Sequence, residues 1–347
     1  MLLSVLDQSP IHDGGTAADG LRATLDLASA CERLGYHRYW VAEHHDLEGF
    51  AGTCPEILVA EIAARTARIR VGSGGVMLSH YAPLKVAETF RTLAALHPGR
   101  IDLGIGRAPG GDARAMRALS FPAPPPDAET YARLAVDLDH FLHDTLPETH
   151  PFHGMHAVPR PSAAPEYWQL GSGGGSAAFA GSLGIAYALA LFIGDDAAPP
   201  EVIATYRRAF RPSPDLPAPA TALAVSVLCA EDDATAARVA ASQTWWRYML
   251  YRHGRSTVFL APEEAMARRD ALPPAERAYH DSLARRVVVG SAASCGRQLR
   301  GLALRYGVEE LILVSVCYRF TDRLDSYRRL AAEFDLGHRD VPPRARA

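Results

Sequence analysis

Two adjacent histidines, His44 and His45, follow a hydrophobic segment with the pattern of a β-strand. Histidine exchanges protons near neutral pH, so either ring could act as an acid, a base or a hydrogen-bond donor. Side chains alternate along a strand, and we therefore expect the two rings to point to opposite sides. A structural histidine is the simpler interpretation of either ring taken alone. The position at a strand end favours a catalytic role for one of the pair.

Glycines follow two other predicted strands. Gly72-Ser73-Gly74-Gly75 leaves the backbone open to a flat ligand, although an ordinary turn would use the same residues. The segment 171–176 reads GSGGGS between a strand and a helix, and the free amides of a helix N-terminus attract phosphate. The lysine of an ATP-binding loop is absent. A flexible loop with an ordinary serine cap is the alternative to an anion site.

A fourth segment, Gly104-Ile105-Gly106-Arg107, ends another predicted strand. It resembles the start of a dinucleotide-binding motif, but a proline replaces the last glycine and no acidic ribose-binding residue follows. Arg107 could instead bind a phosphate through its rigid guanidinium fork. Together, the three glycine-containing segments predict a flat, phosphorylated cofactor without identifying it.

A metal site has less support from the sequence. One metal ion needs several ligands that converge, and the later strand ends offer acids only at Asp195-Asp196 and Glu231-Asp232. We predict no metal ligands, and a metal hydrolase remains a distant alternative.

The elements that would position these residues alternate between strand and helix along the chain. Thr16 and Asp19 form a predicted capping box, Gly35 ends that helix, and Pro55 and Pro83 begin two more. Strands separated by helices imply a parallel sheet, and eight such units without a dinucleotide fingerprint favour a closed (β/α)8 TIM barrel. The eight predicted strands are LLSVLD, HRYWVAEHH, IRVGSGGVML, RIDLGIGRA, EYWQLG, IAYALALF, ALAVSVLCA and ELILVSV.

The length of 347 residues would fit roughly two domains, but no linker poor in apolar residues divides the chain. We therefore predict one barrel domain over 1–347. It is interrupted by long loops at about 108–126 and 145–165 and by a helical insertion at about 231–286. Barrel active sites lie at the C-terminal ends of the strands, where the candidate residues are found.

Composition excludes several classes of protein. A hydrophobic content of 48% and a charged content of 22% exclude a disordered chain, and a net charge of -3 gives no reason to expect nucleic acid or an anionic membrane as partner. No apolar run reaches membrane-spanning length, and the start lacks the pattern of a secretory signal. Five scattered cysteines without a CxxC pair indicate reduced thiols. We expect a cytoplasmic protein.

Taken together, several segments resemble the bacterial luciferase-like flavin-dependent monooxygenases, and among these the group found in antibiotic and polyketide tailoring. The resemblance implies a single (β/α)8 barrel that usually pairs as a dimer. It also implies a flavin ligand, which is reduced FMN or, in a sister branch, the deazaflavin F420. The matching segments are SVLDQSPI, GYHRYWVAEHH, RIRVGSGGVMLSHYAPLKVAETFR, LHPGRIDLGIGRAPGGD, LGSGGGSAAFAGSLG and GVEELILVS.

The resemblance also implies roles for particular residues. The active-site histidine of the family falls on His44, beside His45, and its cis peptide under the isoalloxazine falls on Gly74-Gly75. Its phosphate-binding arginine falls on Arg107. Its phosphate loop falls on Ser172, Gly173, Gly174, Gly175 and Ser176.

One position departs from the family. The light-emitting subunit of luciferase has a reactive cysteine where this chain has Gly106, so the resemblance does not extend to long-chain aldehyde luminescence. The expected activity is an FMNH2-dependent monooxygenation, in which O2 adds at the flavin C4a as a peroxide. One oxygen atom then passes to an organic, polyketide-type substrate. Because the sequence has no NAD(P)H fingerprint, we expect a separate flavin reductase. The alternatives are F420-dependent hydride transfer and a non-catalytic flavin-binding subunit.

Overall fold

The computed structural model describes residues 1–108, 110–160, 164–194 and 198–338. Its parallel strands close into a barrel, which confirms the predicted (β/α)8 TIM-barrel architecture. The strands are β1 Leu2–Asp7, β2 Arg38–Val41, β3 Arg70–Met77, β4 Ile101–Gly106, β5 Glu166–Gly171, β6 Ala186–Ala190, β7 Thr221–Ala230, β8 Val288–Ser291 and β9 Glu310–Val314.

The barrel runs from β1 to β7 in chain order and closes through β9, which pairs with both β7 and β1. Helices cover its outside. They are α1 Ala17–Arg33, α2 Pro55–Arg65, α3 Pro83–Leu96, α4 Ala113–Ser120, α5 Ala128–His143, α6 Gly174–Leu183, α7 Glu201–Ala209, α8 Asp233–His253, α9 Pro262–Asp270, α10 Pro274–Ala284, α11 Ala292–Tyr306 and α12 Phe320–Glu333. Across the described residues, no helix combines the length and apolar character needed to cross a membrane.

Local sequence signals explain where several helices begin and end. Thr16 and Asp19 form the predicted capping box at the start of α1, and Gly35 follows its end with φ of +85°. Pro55 and Pro83 occupy the first turns of α2 and α3, where a missing backbone N–H costs nothing. These four predictions are confirmed.

Two elements differ from the sequence prediction. The segment 108–126, predicted as a long loop, contains α4, because Asp112 caps it by accepting hydrogen bonds from the backbone N–H groups of Arg114 and Ala115. Strand β8 was not predicted. It pairs with β7 beyond the residues of β7 that pair with β9, so it lies beside the barrel wall. A four-residue strand placed between two helical segments gives too short a signal for periodicity to detect.

A buried ionic cluster fills the N-terminal end of the barrel. The Arg38 guanidinium donates to Asp102, Glu310 and Glu166 at 2.7, 2.7 and 3.1 Å, and Arg70 donates to Asp102 at 2.5 Å. Buried charges are tolerated only when they are paired and hydrogen-bonded. The cluster meets this condition, so the end of the barrel opposite the candidate site is closed by mutually satisfied charges.

Two tryptophans lie above this cluster in the barrel interior. Trp40 donates its indole N–H to Asp102 at 2.8 Å, and its ring packs edge-on against Trp168 with a centroid distance of 5.3 Å. Glycine allows close packing around them, at Gly74 beside Trp40 and at Gly104 between β3 and β4. A Cβ at Gly74 would lie 2.7 Å from the Leu6 side chain, and one at Gly104 would lie 2.3 Å from a carbonyl oxygen of β3.

We expect Asp102→Ala to lower the free energy of unfolding by about 3–5 kcal/mol, because it leaves two arginines and an indole N–H without their buried acceptor. Glu264→Ala, which breaks an exposed i,i+4 ion pair with Arg268, serves as the control. It should change the free energy of unfolding by less than about 0.5 kcal/mol. Urea denaturation of the two variants measures both values. Similar losses in both would contradict the structural role assigned to the cluster.

Candidate active site

The predicted site residues lie on four neighbouring strand ends. His44 and His45 follow β2, Gly74-Gly75 lies in β3, Arg107 follows β4, and the segment 172–176 follows β5. Strands β2, β3, β4 and β5 are consecutive in the barrel. The structure therefore brings all the predicted segments together on one arc of the C-terminal mouth.

His44 and His45 have different surroundings. Strand β2 ends at Val41, so the alternation expected of a strand does not reach either histidine. The His44 ring nevertheless stacks on Phe50 at a centroid distance of 4.5 Å, whereas the His45 ring bonds to Glu43 through Nε2 at 2.8 Å. The Nδ1 atom of His44 is buried and has no hydrogen-bond partner among the described residues.

The environment of His44 sets its protonation state. Burial and, to a smaller extent, the neighbouring His45 together lower its pKa to about 4. At neutral pH the imidazole is therefore uncharged, with one nitrogen able to donate a hydrogen bond and the other able to accept one. A neutral ring with an unused nitrogen can take or give a proton to a bound molecule.

Glu43 is a site residue that the sequence prediction missed. Its buried carboxylate accepts hydrogen bonds from the ring of His45, the backbone N–H of Met77 at 2.9 Å and the hydroxyl of Tyr81 at 2.9 Å. Burial and then the Glu43 charge raise the pKa of Tyr81, so this hydroxyl stays protonated. Glutamate is rarely buried unless it is paired. The position of Glu43 directly after a buried strand is therefore the signal that could have identified it as a site residue.

The peptide between Gly74 and Gly75 is cis, as the family resemblance implied. Packing excludes side chains here, because a Cβ at Gly75 would lie 2.8 Å from the carbonyl oxygen of Gly104. The pairing of β3 with β4 also shifts register between Gly74 and Val76. At Gly106 a Cβ would meet only the flexible end of Met77, at 3.2 Å.

Arg107 lies beside the glycine-rich segment. Ile105 and Gln169 are register partners on the neighbouring strands β4 and β5, and Arg107 and Ser172 follow the last residues of these two strands. The Arg107 side chain is exposed, and it has no hydrogen bond or ion pair with any described residue. Its charge is therefore available to a ligand.

The N-terminus of α6 is open. Its N-cap is Gly173, without a side-chain cap, and the first amides of a helix have no partner within it. A Cβ at Gly173, Gly174 or Gly175 would meet nothing within 4 Å, so packing within the protein does not require glycine there. Ser172 is exposed, whereas the Ser176 hydroxyl already donates to the Gly173 carbonyl at 2.8 Å.

Aromatic residues cover the mouth on the His44 side. Trp246 of α8 packs on Phe50 and Phe259 with centroid distances of 5.0 and 5.4 Å. Its neighbour Trp245 faces the outer helices and packs on Tyr248. The sequence prediction placed both tryptophans in a helical insertion and could not assign Trp246 to the site, because the orientation of that helix depends on tertiary packing.

Within the described residues, no group of three or more His, Cys, Asp and Glu side chains could hold a metal ion. Asp195 and Asp196, considered above as metal ligands, lie outside the described residues. Glu231 and Asp232 follow β7, where Asp232 caps α8 by accepting from the backbone N–H of Thr235.

The sequence of the chain matches a known family. A family model described as luciferase-like monooxygenase matches residues 1–309. The chain belongs to the luciferase-like monooxygenase family. The family that the sequence segments indicated is thereby confirmed, and so is the assignment of the chain as a monooxygenase.

Relatives cover nearly the whole chain. The Bacillus subtilis protein YwcH is 41% identical over 96% of this chain and 98% of its own length. The N-acetyl-S-alkylcysteine monooxygenase of the same organism is 46% identical over 60% of this chain and 61% of its own.

Solved structures of other proteins are also similar to this chain. That of apo-MsnO8 has a TM-score of 0.86 and 42% identity, and the match covers 96% of this chain and 98% of the other. Two more distant structures share the fold. One is the oxygenating constituent of Pseudomonas putida 3,6-diketocamphane monooxygenase in complex with FMN (TM-score 0.72, 18% identity, 96% and 97% covered). The other is an F420-dependent secondary alcohol dehydrogenase (TM-score 0.66, 14% identity, 96% and 98% covered).

We expect stability to depend on pH through His44. Its ordinary pKa is 6.5, which applies to the unfolded chain, and the folded value is about 4. Between these values the unfolded state binds the proton, so the free energy of unfolding falls as the pH is lowered from 6.5 to 4 and is unaffected by this group above 6.5. Urea melts of wild type and His44→Gln between pH 4 and 8 measure the difference. If the free energies of unfolding of wild type and His44→Gln change with pH in the same way over the whole range, burial does not hold His44 neutral.

Proposed function

We propose that this chain is an FMNH2-dependent monooxygenase that transfers one oxygen atom from O2 to a small organic substrate. The observation that carries the proposal is the arc of strand ends from β2 to β5. A cation without a hydrogen bond or ion pair to any described residue and an open helix N-terminus lie at one end of this arc, and a neutral, partly buried histidine lies at the other. A flat ligand with a phosphate tail would place its phosphate at the first end and its ring towards the histidine.

The phosphate end of FMN fits the region of Arg107 and α6. Backbone amides at a helix N-terminus, together with a guanidinium, form an anion site. The three glycines at 173–175 leave open space in front of those amides. We assign phosphate binding to Arg107, Ser172 and the amides of 174–176, with the Ser176 hydroxyl retaining its bond to Gly173.

The ring end of the cofactor fits the glycines of β3 and β4. We assign the contact with the ring to the backbone of Gly74, Gly75 and Gly106, because a planar ring can approach backbone without side chains closely. The partnerless Nδ1 of His44 fits a ligand in this region, because a buried polar atom without a protein partner has a hydrogen bond left to make.

Reduced flavin, when bound, supplies the electrons that activate O2 and allow one of its atoms to reach the substrate. We assign to His44 the holding or moving of a proton at Nδ1. His45 is placed by Glu43, which fixes its ring through Nε2, and we assign to it a supporting role beside His44. Phe50, Trp246 and Phe259 exclude water on this side, which protects reactive species from side reactions.

Reduced flavin would come from a separate NAD(P)H-dependent reductase, since the sequence has no dinucleotide motif of its own. FMN is preferred to F420 because the family resemblance points first to FMN. The name of the N-acetyl-S-alkylcysteine monooxygenase supports a sulfur-containing substrate as one class to test, and the sequence resemblance supports aromatic polyketides as another. The proposal includes a homodimer, as the resemblance implies, and a cytoplasmic location, which the scattered cysteines without a CxxC pair favour.

The activity is tested by supplying purified protein with FMN, NADH, a flavin reductase and candidate substrates under 18O2. We expect product that carries one labelled oxygen, with no product when reduced F420 replaces reduced FMN. His44→Ala should retain FMN binding and lose most of the product. Product formed from reduced F420 without O2 would instead establish hydride transfer, and the absence of product with either cofactor would favour a non-catalytic subunit.

Arg107→Met should weaken the binding of FMN by about 10- to 100-fold, because it removes a charge-assisted hydrogen bond to the phosphate. The binding of riboflavin, which has no phosphate, should stay unchanged. Arg114→Met, at an exposed position on α4, is the control. Fluorescence titration with both flavins gives the constants, and an equal loss of FMN and riboflavin binding would refute the assignment of Arg107 to the phosphate.

A further inference from the structure

Arg247 of α8 is a buried cation at the mouth of the barrel. Its side chain is only 3% exposed. Its Nη2 donates to the carbonyl of Gly194 at 3.4 Å, and Gly194 lies in the loop that follows β6. Because βα loops lie at the C-terminal ends of the strands, Arg247 lies at the same end of the barrel as the candidate site.

No carboxylate accompanies this charge within the described chain. Arg247 differs in this respect from the other arginines that are buried to the same degree in the described residues. Each of those donates to an aspartate: Arg38 to Asp102, Arg91 to Asp144 and Arg323 to Asp7.

The remaining contacts of Arg247 are weak. Its guanidinium lies 5.5 Å from the centroid of the Tyr251 ring, and its buried Nε has no hydrogen-bond partner among the described residues. A buried cation without an anion is costly. Burial accordingly lowers the pKa of Arg247, which indicates an environment that would gain from a bound anion.

A second arginine reaches the same point. Arg286 donates to the Gly194 carbonyl through Nη1 and to the Leu191 carbonyl through Nη2 at 3.3 Å. It also has no carboxylate partner among the described residues. Two guanidinium groups thus share one neutral carbonyl oxygen, and their mutual repulsion is not compensated by any described side chain.

The helix that carries Arg247 also carries Trp246, which covers the His44 side of the mouth. Trp246, the residue before Arg247, packs on Phe50, and Phe50 stacks on His44. The indole N–H of Trp246 is buried without an acceptor among the described residues. Indole N–H groups and guanidinium groups only donate, so this part of the mouth suits a ligand that carries acceptor oxygens.

We propose that Arg247 and Arg286 bind the carboxylate of an organic acid substrate, whose remainder lies towards His44. This inference rests on the proposed function, because it takes the mouth to be the substrate site. A planar guanidinium fork matches a carboxylate in geometry as well as in charge. The proposal makes Arg247 and Arg286 specificity-determining residues, separate from the phosphate-binding Arg107.

A structural role as a clamp for the loop after β6 is the competing explanation, and ligand binding separates the two. The probes are benzoate and octanoate, each compared with its uncharged amide, added to the protein without flavin. Calorimetric titration and the ligand-induced shift in melting temperature measure binding. Because no cofactor or O2 is present, the result does not depend on whether the chain catalyses the proposed reaction.

We expect wild type to bind at least one carboxylate about 10-fold or more tightly than its amide, and Arg247→Met and Arg286→Met to abolish that preference. Arg252→Met is the matched control on the same helix, since Arg252 is exposed and already paired with Glu276; it should keep the preference. Arg247→Lys, which retains the charge, should keep part of it. Wild type without a preference for either carboxylate, or a preference that survives both Met substitutions, would overturn the proposal.

Discussion

The arrangement of the candidate site depends on one buried carboxylate. Glu43 leaves the end of β2 and accepts hydrogen bonds from the backbone of β3 at Met77, from Tyr81 and from His45. Two of these bonds join the segment after β2 to residues 77–81, and the third orients the ring of His45. A buried carboxylate that lost one of these partners would bear the cost of the unmet hydrogen bond, so the two segments and the His45 ring are held at fixed relative positions. The backbone N–H of His45 in turn donates to Gly110 at 2.8 Å, which attaches the loop carrying Arg107 to the same point.

The charges around the mouth are distributed unevenly. On one side, Arg107 and the N-terminus of α6 offer positive potential to solvent, where a phosphate can reach them without losing all its hydration. In the centre, His44 is kept neutral by burial. On the far side, Arg247 is charged but buried. Ligands that fill the three regions together would have an anionic group on each side and an uncharged reacting group in the centre. A phosphorylated cofactor bound next to an acidic substrate would have this distribution of charge.

The sequence predicted the features that local chemistry determines. The capping box of Thr16, the prolines that open α2 and α3, and the glycines of β3 and 173–175 are signals written within a few residues of the structures they specify. The arc of strand ends was also predictable, since parallel strands in chain order bring their C-terminal ends together. Glu43 and Trp246 were missed as site residues for a common reason. Their roles depend on contacts with Tyr81 and Phe50, and no pattern in their own segments determines those contacts.

The difference between the two ends of the barrel indicates that substrate specificity depends on the helices inserted after β7, beginning with α8. At the N-terminal end, Arg38, Arg70, Asp102 and Glu310 satisfy one another, and Trp40 and Trp168 fill the space above them. A substrate cannot enter there without breaking several charge pairs. At the other end β4 and β5 end in glycine, and the aromatic side chains that cover the mouth include Trp246 of α8 and the loop residues Phe50 and Phe259. The barrel can therefore keep one cofactor site while different insertions present different groups to the substrate. A buried arginine that lacks a carboxylate is such a group, since a barrel that needed α8 only as a cover would be more stable with an apolar residue at that position.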